Sequence, residues 1–430
     1  MIKPLRNRLR CALVGCPTSE RQPRAVRYLP LIGLMLTHAL VDGFALYLEP
    51  LWPYLQRDLQ LTEAGAAALM ALWSFTTSGS QVIVGYVLDR HGKGVMLIGG
   101  PLLAAVSLSA IGWASSPAAL AVIILVGGFG VGAFHPEAAV AVSEVVPEHR
   151  TRCLSLFVFG GTLGLAVGPV VCGHMTHAFG PRSLIWTAIP GVLVALGLAV
   201  VLGRRRHRAP ARARAASLAD IFRGRIHYVV LLLVVTTLRV VPAAGMGRAL
   251  SYYLTSLGYE VQTIGEMIAT FLFAGGLGML LCASLLPKGA ERPALLISSL
   301  AAIPLILLIP YGPTLLPAWT LPVLLALTGA LVSGTTPLLV SYSQQLLPRG
   351  TGIASSLSMG VSWGLAGAIV AVLISYSNAA GAPGNAILSY APFLALSAVA
   401  ALFLPSPSAL EQAVPELTVP PLPQPELQEA

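Results

Sequence analysis

Residues 118–142 read AALAVIILVGGFGVGAFHPEAAVAV. A helix needs about 20 mostly apolar residues to cross a hydrocarbon layer, and this stretch is long enough with only His135 and Glu137 able to ionise. Eleven further segments have the same character, at 28–51, 64–88, 94–114, 152–175, 183–203, 226–254, 262–286, 293–312, 318–343, 351–376 and 386–404. Between them the chain is mostly short and polar. Of 430 residues, 56% are hydrophobic and 10% charged, against about 25% charged in soluble domains. So few charges cannot cover a water-exposed surface, and the expected class is an all-α membrane protein with twelve transmembrane helices. Gly and Pro inside the segments fit bundled membrane helices, where neighbours re-satisfy freed backbone groups.

Lys and Arg number 26 against 17 Asp and Glu. A basic balance raises nucleic acid or an anionic membrane surface as a partner, but no nucleic-acid motif accompanies it. On a map of twelve spans, all of these basic residues except Arg57, Arg182, Arg239 and Arg248 fall in the tails and on alternate loops. The excess of basic charge marks the cytoplasmic side, so both termini are expected there, in a multi-pass protein of the inner membrane. The expected organisation is a basic N-terminal tail over 1–27, a six-helix bundle over 28–203, a basic linker over 204–225, a second six-helix bundle over 226–404, and a disordered Pro- and Glu-rich cytoplasmic tail over 405–430. The linker could also bind anionic lipid. A weak repeat joins the halves: Pro147, Arg150 and Ser155-Leu156 echo Pro348, Arg349 and Ser356-Leu357. Paired bundles of this kind place a substrate site between them near the midplane. Cys11, Cys16, Cys153, Cys172 and Cys282 have neither metal-ligand nor disulfide-framework spacing.

The loop after the second span reads Gly85-Tyr86-Val87-Leu88-Asp89-Arg90-His91-Gly92-Lys93. Glycine permits a tight turn, Asp89 can accept from helix ends, and the basic residues hold the cytoplasmic side. Its counterpart in the second half, Cys282 to Gly289, lacks the Asp. In the fifth span Gly160, Gly164 and Gly168 share one face, followed by Pro169 and Gly173. Such a face lets another backbone approach closely, and Pro169 adds a bend.

Ionisable groups at membrane depth are costly and therefore candidates for function. His38 and Asp42 stand four apart on one helix face, a plausible proton site. His135 and Glu137 flank Pro136, and Arg239 lies at mid-depth with a fork suited to an anionic group. Gln81, Gln344 and Gln345 add neutral groups able to bond a ligand. The bland alternative is that these side chains pair with one another and hold helices together. Glu49, Glu266 and Arg248 fall near the outer ends, where solvated or capping roles are expected.

The Gly85–Lys93 loop resembles the signature loop of the major facilitator superfamily, and the fifth-span glycines resemble the antiporter motif of its drug-efflux branch. The chain more narrowly resembles the fosmidomycin resistance transporters. The matching stretches are His38 with Asp42, Pro53-Tyr54-Leu55, Ser80-Gln81 before Gly85, Phe134-His135-Pro136-Glu137, Ser155-Leu156-Phe157, Gly160-Gly161, Leu238-Arg239 with Gly245, and Gln344-Gln345-Leu346-Leu347-Pro348. It departs from that family at Thr162 and at Gln345.

The resemblance implies a major facilitator fold and proton-driven export. In it, Gly85, Asp89, Arg90, Gly92 and Lys93 form a conformational switch that does not touch substrate. The expected activity is proton antiport that exports a small anionic or amphipathic organic compound by alternating access. His38, Asp42, His135 and Glu137 would carry protons, while Arg239, Gln81, Gln344 and Gln345 would meet substrate. The rivals are proton-coupled uptake of an organic anion and a non-transporting sensor or scaffold. Expected partners are the substrate, protons and the bilayer, with no nucleic acid, no cofactor, no metal and a monomeric state. No nucleophile-base pair, phosphate loop or metal cluster suggests an enzyme.

Overall fold

The computed structural model describes residues 24–91, 95–145, 150–202, 222, 224–286, 290–347 and 351–405. Those residues are helical with short connections and include no strand. We number the spans α1 (Tyr28–Asp58), α2 (Glu63–Val84), α3 (Met96–Ser109), α4 (Pro117–Val142), α5 (Cys153–Phe179), α6 (Pro181–Leu202), α7 (Ile226–Ser256), α8 (Val261–Leu285), α9 (Glu291–Leu315), α10 (Thr320–Leu346), α11 (Ile353–Ala379) and α12 (Gly384–Ala401). Eleven are long and apolar enough to cross a membrane, and α3 is the shorter exception. It stops at Ser109, where the chain tightens into a 3₁₀ turn over Ile111–Trp113.

The outward surface is what lipid requires. Val200, Phe75, Leu193, Leu285, Ile297 and Val372 all stand exposed, which in water would be a large apolar patch and in a bilayer is the solvated face. The inward surface is mixed, and buried Ser, Thr and ionisable groups sit among the apolar core.

Prolines bend the spans at predictable places. Pro50 lacks the N–H that would bond the Leu46 carbonyl. There α1 breaks at Leu46–Tyr47, between helices Arg24–Ala45 and Leu48–Asp58, and Glu49 N–H bonds Leu46 O instead, at 3.2 Å. Pro53 likewise frees the Glu49 carbonyl, which accepts the Ser251 hydroxyl of α7 at 2.5 Å. The span α10 is divided at Thr335, with Pro337 in the first turn of its second piece, where a missing N–H is tolerated.

The spans pack in two sets with the same plan. In the first, α1 lies along α5, α4 packs on α2 and α3, and α6 closes on α1 and α3. Six spans later, α7 lies along α11, α10 packs on α8 and α9, and α12 closes on α7 and α9. This is an all-α membrane fold of two six-helix bundles. The bundles meet where α5 runs along α8, α2 along α11, and the second piece of α1 against α7. The tails beyond residues 24 and 405 and nearly all of the Arg204–Arg225 linker lie outside the described residues.

Candidate functional site

His38 and Asp42 come one turn apart on α1, and His135 reaches them from α4. His38 Nε2 lies 3.2 Å from Asp42 Oδ2, and His135 Nε2 lies 3.1 Å from Asp42 Oδ1. The outer nitrogens are fixed by backbone: His38 Nδ1–H donates to Phe157 O at 2.8 Å, and His135 Nδ1–H donates to Val131 O at 2.7 Å. A carbonyl only accepts, so each Nδ1 carries the hydrogen. In neutral rings both Nε2 atoms would then aim lone pairs at a carboxylate that also only accepts. The three groups are stable together only with a proton or another positive charge between them. Their ligand atoms lie within 4.8 Å of one another, near enough to share a proton or close on a small cation. His38 and Asp42 are buried and His135 is partly open, giving the cluster one accessible side.

Helix α5 supplies the walls. Phe157 stacks on the His38 ring with centroids 4.0 Å apart and planes 20° off parallel. Gly161 lies directly over the pair, and a Cβ there would fall 2.7 Å from Asp42 Oδ2 and against the His38 ring. Gly160, Gly164 and Gly168 face the backbone of α1 at Met35, Ala39 and Gly43. Gly173 turns the other way, toward Val261 and Gln262 of α8, and the Pro169 carbonyl meets Gly265 there. The glycine face expected on α5 therefore presses on the helix that carries His38 and Asp42, and its far end forms part of the junction between bundles. Phe157 and Gly161 stand in the sequence only within the stretches Ser155-Leu156-Phe157 and Gly160-Gly161, with no role at the cluster, because which side chains of the fifth span come to lie over His38 depends on helix packing that no spacing records.

Glu137 is not part of this cluster. Two residues along a helix turn a side chain about 200°, so Glu137 leaves His135 and accepts the Leu97 N–H at 2.6 Å, in the first turn of α3. A carboxylate there satisfies an orphan donor and the helix dipole. Arg239 is buried inside the second bundle. It donates to Ser298 at 2.8 Å, Ser299 at 3.1 Å, Thr335 at 2.8 and 3.2 Å, and Leu331 O at 2.7 Å. Thr335 reaches it from the division in α10, and no carboxylate among the described residues pairs with it. Gln81 bonds back to Thr77 O at 3.0 Å, Gln344 donates to Ser355 at 2.9 Å, and Gln345 contacts Ser341 at 3.3 Å. Gln344 and Gln345 are exposed. Gly92 and Lys93 lie outside the described residues; Gly85, Asp89 and Arg90 lie within a helix whose side chains there are not described.

Two residues expected near water are buried and paired. Glu49 of α1 and Arg248 of α7 are 6% and 4% exposed, with Glu49 Oε1 3.1 Å from Arg248 Nε. Position along a span does not reveal this, because burial comes from the bundle opposite. Around them Tyr252 donates to Gln56 Oε1 at 2.5 Å, and Gln56 donates to Glu63 at 2.7 Å. On the neighbouring edge His174 and His177 of α5 approach Glu266 and Glu260 at 3.4 and 3.6 Å. These contacts tie the bundles together at the end that carries few basic residues. A cavity of about 610 Å³ opens at that same end, lined among others by Gln56, Arg57, Glu63, Tyr252 and Asn378.

Comparison with known proteins places this geometry. The family model of the Major Facilitator Superfamily matches residues 34–371. An MFS-type transporter of Bacillus subtilis described as uncharacterized, YfnC, is 24% identical over 415 residues, covering 93% of this chain and 99% of that one. The fosmidomycin resistance protein of Escherichia coli is also 24% identical, over 346 residues, covering 79% and 84%. Among solved structures, a bacterial homolog of the human lysosomal transporter Spinster, inward-facing and occupied, superposes with a TM-score of 0.68 at 16% identity, covering 89% of this chain and 97% of that one. A family match across most of the chain, on a fold shared with solved transporters over nearly its whole length, makes this protein a membrane transporter of the Major Facilitator Superfamily and not an enzyme.

Proposed function

We propose that the protein exports a small anionic or amphipathic organic compound by proton antiport, with alternating access between two faces of the inner membrane. The observation that carries the proton half is the pinned tautomer of both histidines at Asp42. Two Nδ1–H groups held by backbone oxygens leave three acceptors converging, and a proton between them resolves the conflict. Asp42 and His135 release and take up that proton as their open side faces one compartment or the other. A cycle of this kind requires substrate and proton to favour different states.

In this proposal the bundles span 28–203 and 226–404, joined by the cytoplasmic linker 204–225, and both tails are cytoplasmic. The Gly85–Lys93 loop serves as the conformational switch. The glycine seam of α5 ties proton occupancy to motion, because α5 walls the cluster and contacts the opposite bundle at Gly173. Resemblance to a fosmidomycin resistance protein supports the export direction.

The test uses purified protein in liposomes. An imposed pH gradient should drive uptake of fosmidomycin against its gradient, and Asp42→Asn should abolish the drive while leaving exchange of labelled for unlabelled compound intact. Equal flux with and without the gradient in the unaltered protein removes the antiport claim.

A further inference from the structure

Among the described residues two arginines, Arg239 and Arg248, are buried within spans, and they are bonded in opposite ways. Arg239 is enclosed by hydroxyls and a carbonyl of its own bundle. Arg248 lies at the junction between bundles, and its bonding is incomplete. Its Nη2–H donates to Ala244 O of its own helix at 2.8 Å, and its Nη1–H reaches Ser74 Oγ of α2 only at 3.5 Å, a hydroxyl whose own hydrogen goes to Met70 O at 3.1 Å. Toward Glu49 it makes a single ion pair at 3.1 Å, and the Nε–H forms no hydrogen bond. Glu49 Oε2 is buried without a partner, and so is the hydroxyl of Tyr390 on α12. Two glycines of α7 make the room: Gly247 faces Glu49, and Gly245 faces the Tyr390 ring and hydroxyl.

A guanidinium fork matches an oxyanion through two parallel bonds. Here the fork stands beside a serine that accepts from it and an unpartnered tyrosine hydroxyl coupled electrostatically to it, yet the resident carboxylate engages the fork through one oxygen alone. Buried polar networks left partly satisfied are costly, so this arrangement fits a better ligand than the one it holds.

We propose that Arg248 is the seat for the oxyanion of the transported compound, a carboxylate, phosphonate or phosphate ester, and that Glu49 is its internal competitor. The unpartnered Tyr390 hydroxyl donates to the same oxyanion, while Ser74 keeps its bond to Met70 O and steadies the fork as an acceptor. The displaced Glu49 carboxylate turns toward the cavity that lies one to two turns farther along α1, at Pro53 and Gln56. Since Glu49 also ties α1 to α7, arrival of the anion undoes a bond that holds this end shut, and the return of Glu49 expels the anion. The inference rests on the anionic cargo of the proposed function; it does not depend on proton coupling.

Binding is measured on the full-length protein in detergent, with no gradient, using fosmidomycin, 4-hydroxybenzoate and inorganic phosphate as probes. Glu49→Gln removes the competitor's charge and should bind at least one probe about tenfold tighter than the unaltered chain. Arg248→Gln and the double variant should bind none, and Arg248→Lys, which keeps the charge without the fork, should bind more weakly. Methyl 4-hydroxybenzoate, lacking the anion, should not distinguish the unaltered chain from Glu49→Gln. If Glu49→Gln fails to fold, Glu49→Asp withdraws the carboxylate by one methylene and should tighten binding in the same direction. Affinities unchanged by loss of Glu49 charge, binding retained by Arg248→Gln, or no binding of any probe to Glu49→Gln overturns the inference. Flat affinities alongside gradient-driven transport sink this inference alone, whereas the expected pattern without gradient-driven transport sinks the antiport proposal alone.

Discussion

At Gly161 a single missing methyl group lets α5 lie over the His38 and Asp42 side chains. Gly161→Ala would put a carbon 2.7 Å from Asp42 Oδ2, so the pair must separate or α5 must lift. Overpacking of this kind costs about 1–3 kcal/mol. The variant should melt earlier in detergent and lose gradient-driven flux, and unchanged coupling would mean that the 3.2 Å contact of His38 with Asp42 is not needed. Arg239 supports a contrasting expectation. Its bonds hold α7 to α9 and α10, and a hydrogen bond to a charged group contributes about 1.5–3 kcal/mol. Arg239→Ala should therefore lower the melting temperature and yield, while the protein that survives still responds to a pH gradient. A normal melt with lost anion binding would restore Arg239 as the substrate cation, the role its mid-span position suggests in the sequence.

The element that decides coupling is α5, because its glycines serve two neighbours. Gly164 presses on the backbone of Ala39, and backbone cannot move aside as a flexible side chain can. Gly164→Ala should destabilise by about 1–3 kcal/mol. Gly197 of α6 offers the control, since it is helical, exposed, and has nothing within 4 Å of an added Cβ. There alanine should be neutral or stabilising by about 0.5–1 kcal/mol, from helix propensity alone. Thermal melts of the two variants side by side check both. If they melt alike, the seam between α5 and α1 is not the close packing described. The far end of α5 can be tested by joining it to α8: cysteines at His177 and Glu260, whose side chains approach to 3.6 Å, linked by a bifunctional thiol reagent, should arrest transport until the link is cleaved.

The whole molecule shows which physics is local enough to be legible in a sequence. Lipid demands long apolar helices, and the twelve spans stood out with ends within about five residues of those observed, except that the first, read as ending at 51, continues past its break to Asp58. His38 with Asp42 was readable because helix geometry alone brings residues four apart together. His135 was recognised as a titratable group at depth, but its place against Asp42 depends on how α4 packs on α1, which no spacing records. Glu137 was grouped with it by proximity in the chain, and helix rotation separates them. Glu49 and Arg248 show the same limit: depth along a span is a local property, whereas enclosure by the opposite bundle is not. Arg239 carries a consequence of its own at this scale. Among the described residues no carboxylate pairs with it, so the second bundle holds a fixed cation within the bilayer. Moving one elementary charge across the full membrane voltage is worth about 2.3 kcal/mol per 100 mV. Any rocking that shifts this bundle through a tenth of that field is therefore biased by roughly 0.2 kcal/mol per 100 mV, even when the cargo is uncharged. The resting potential of the cell thus enters the energetics as a steady electrical force on the protein itself.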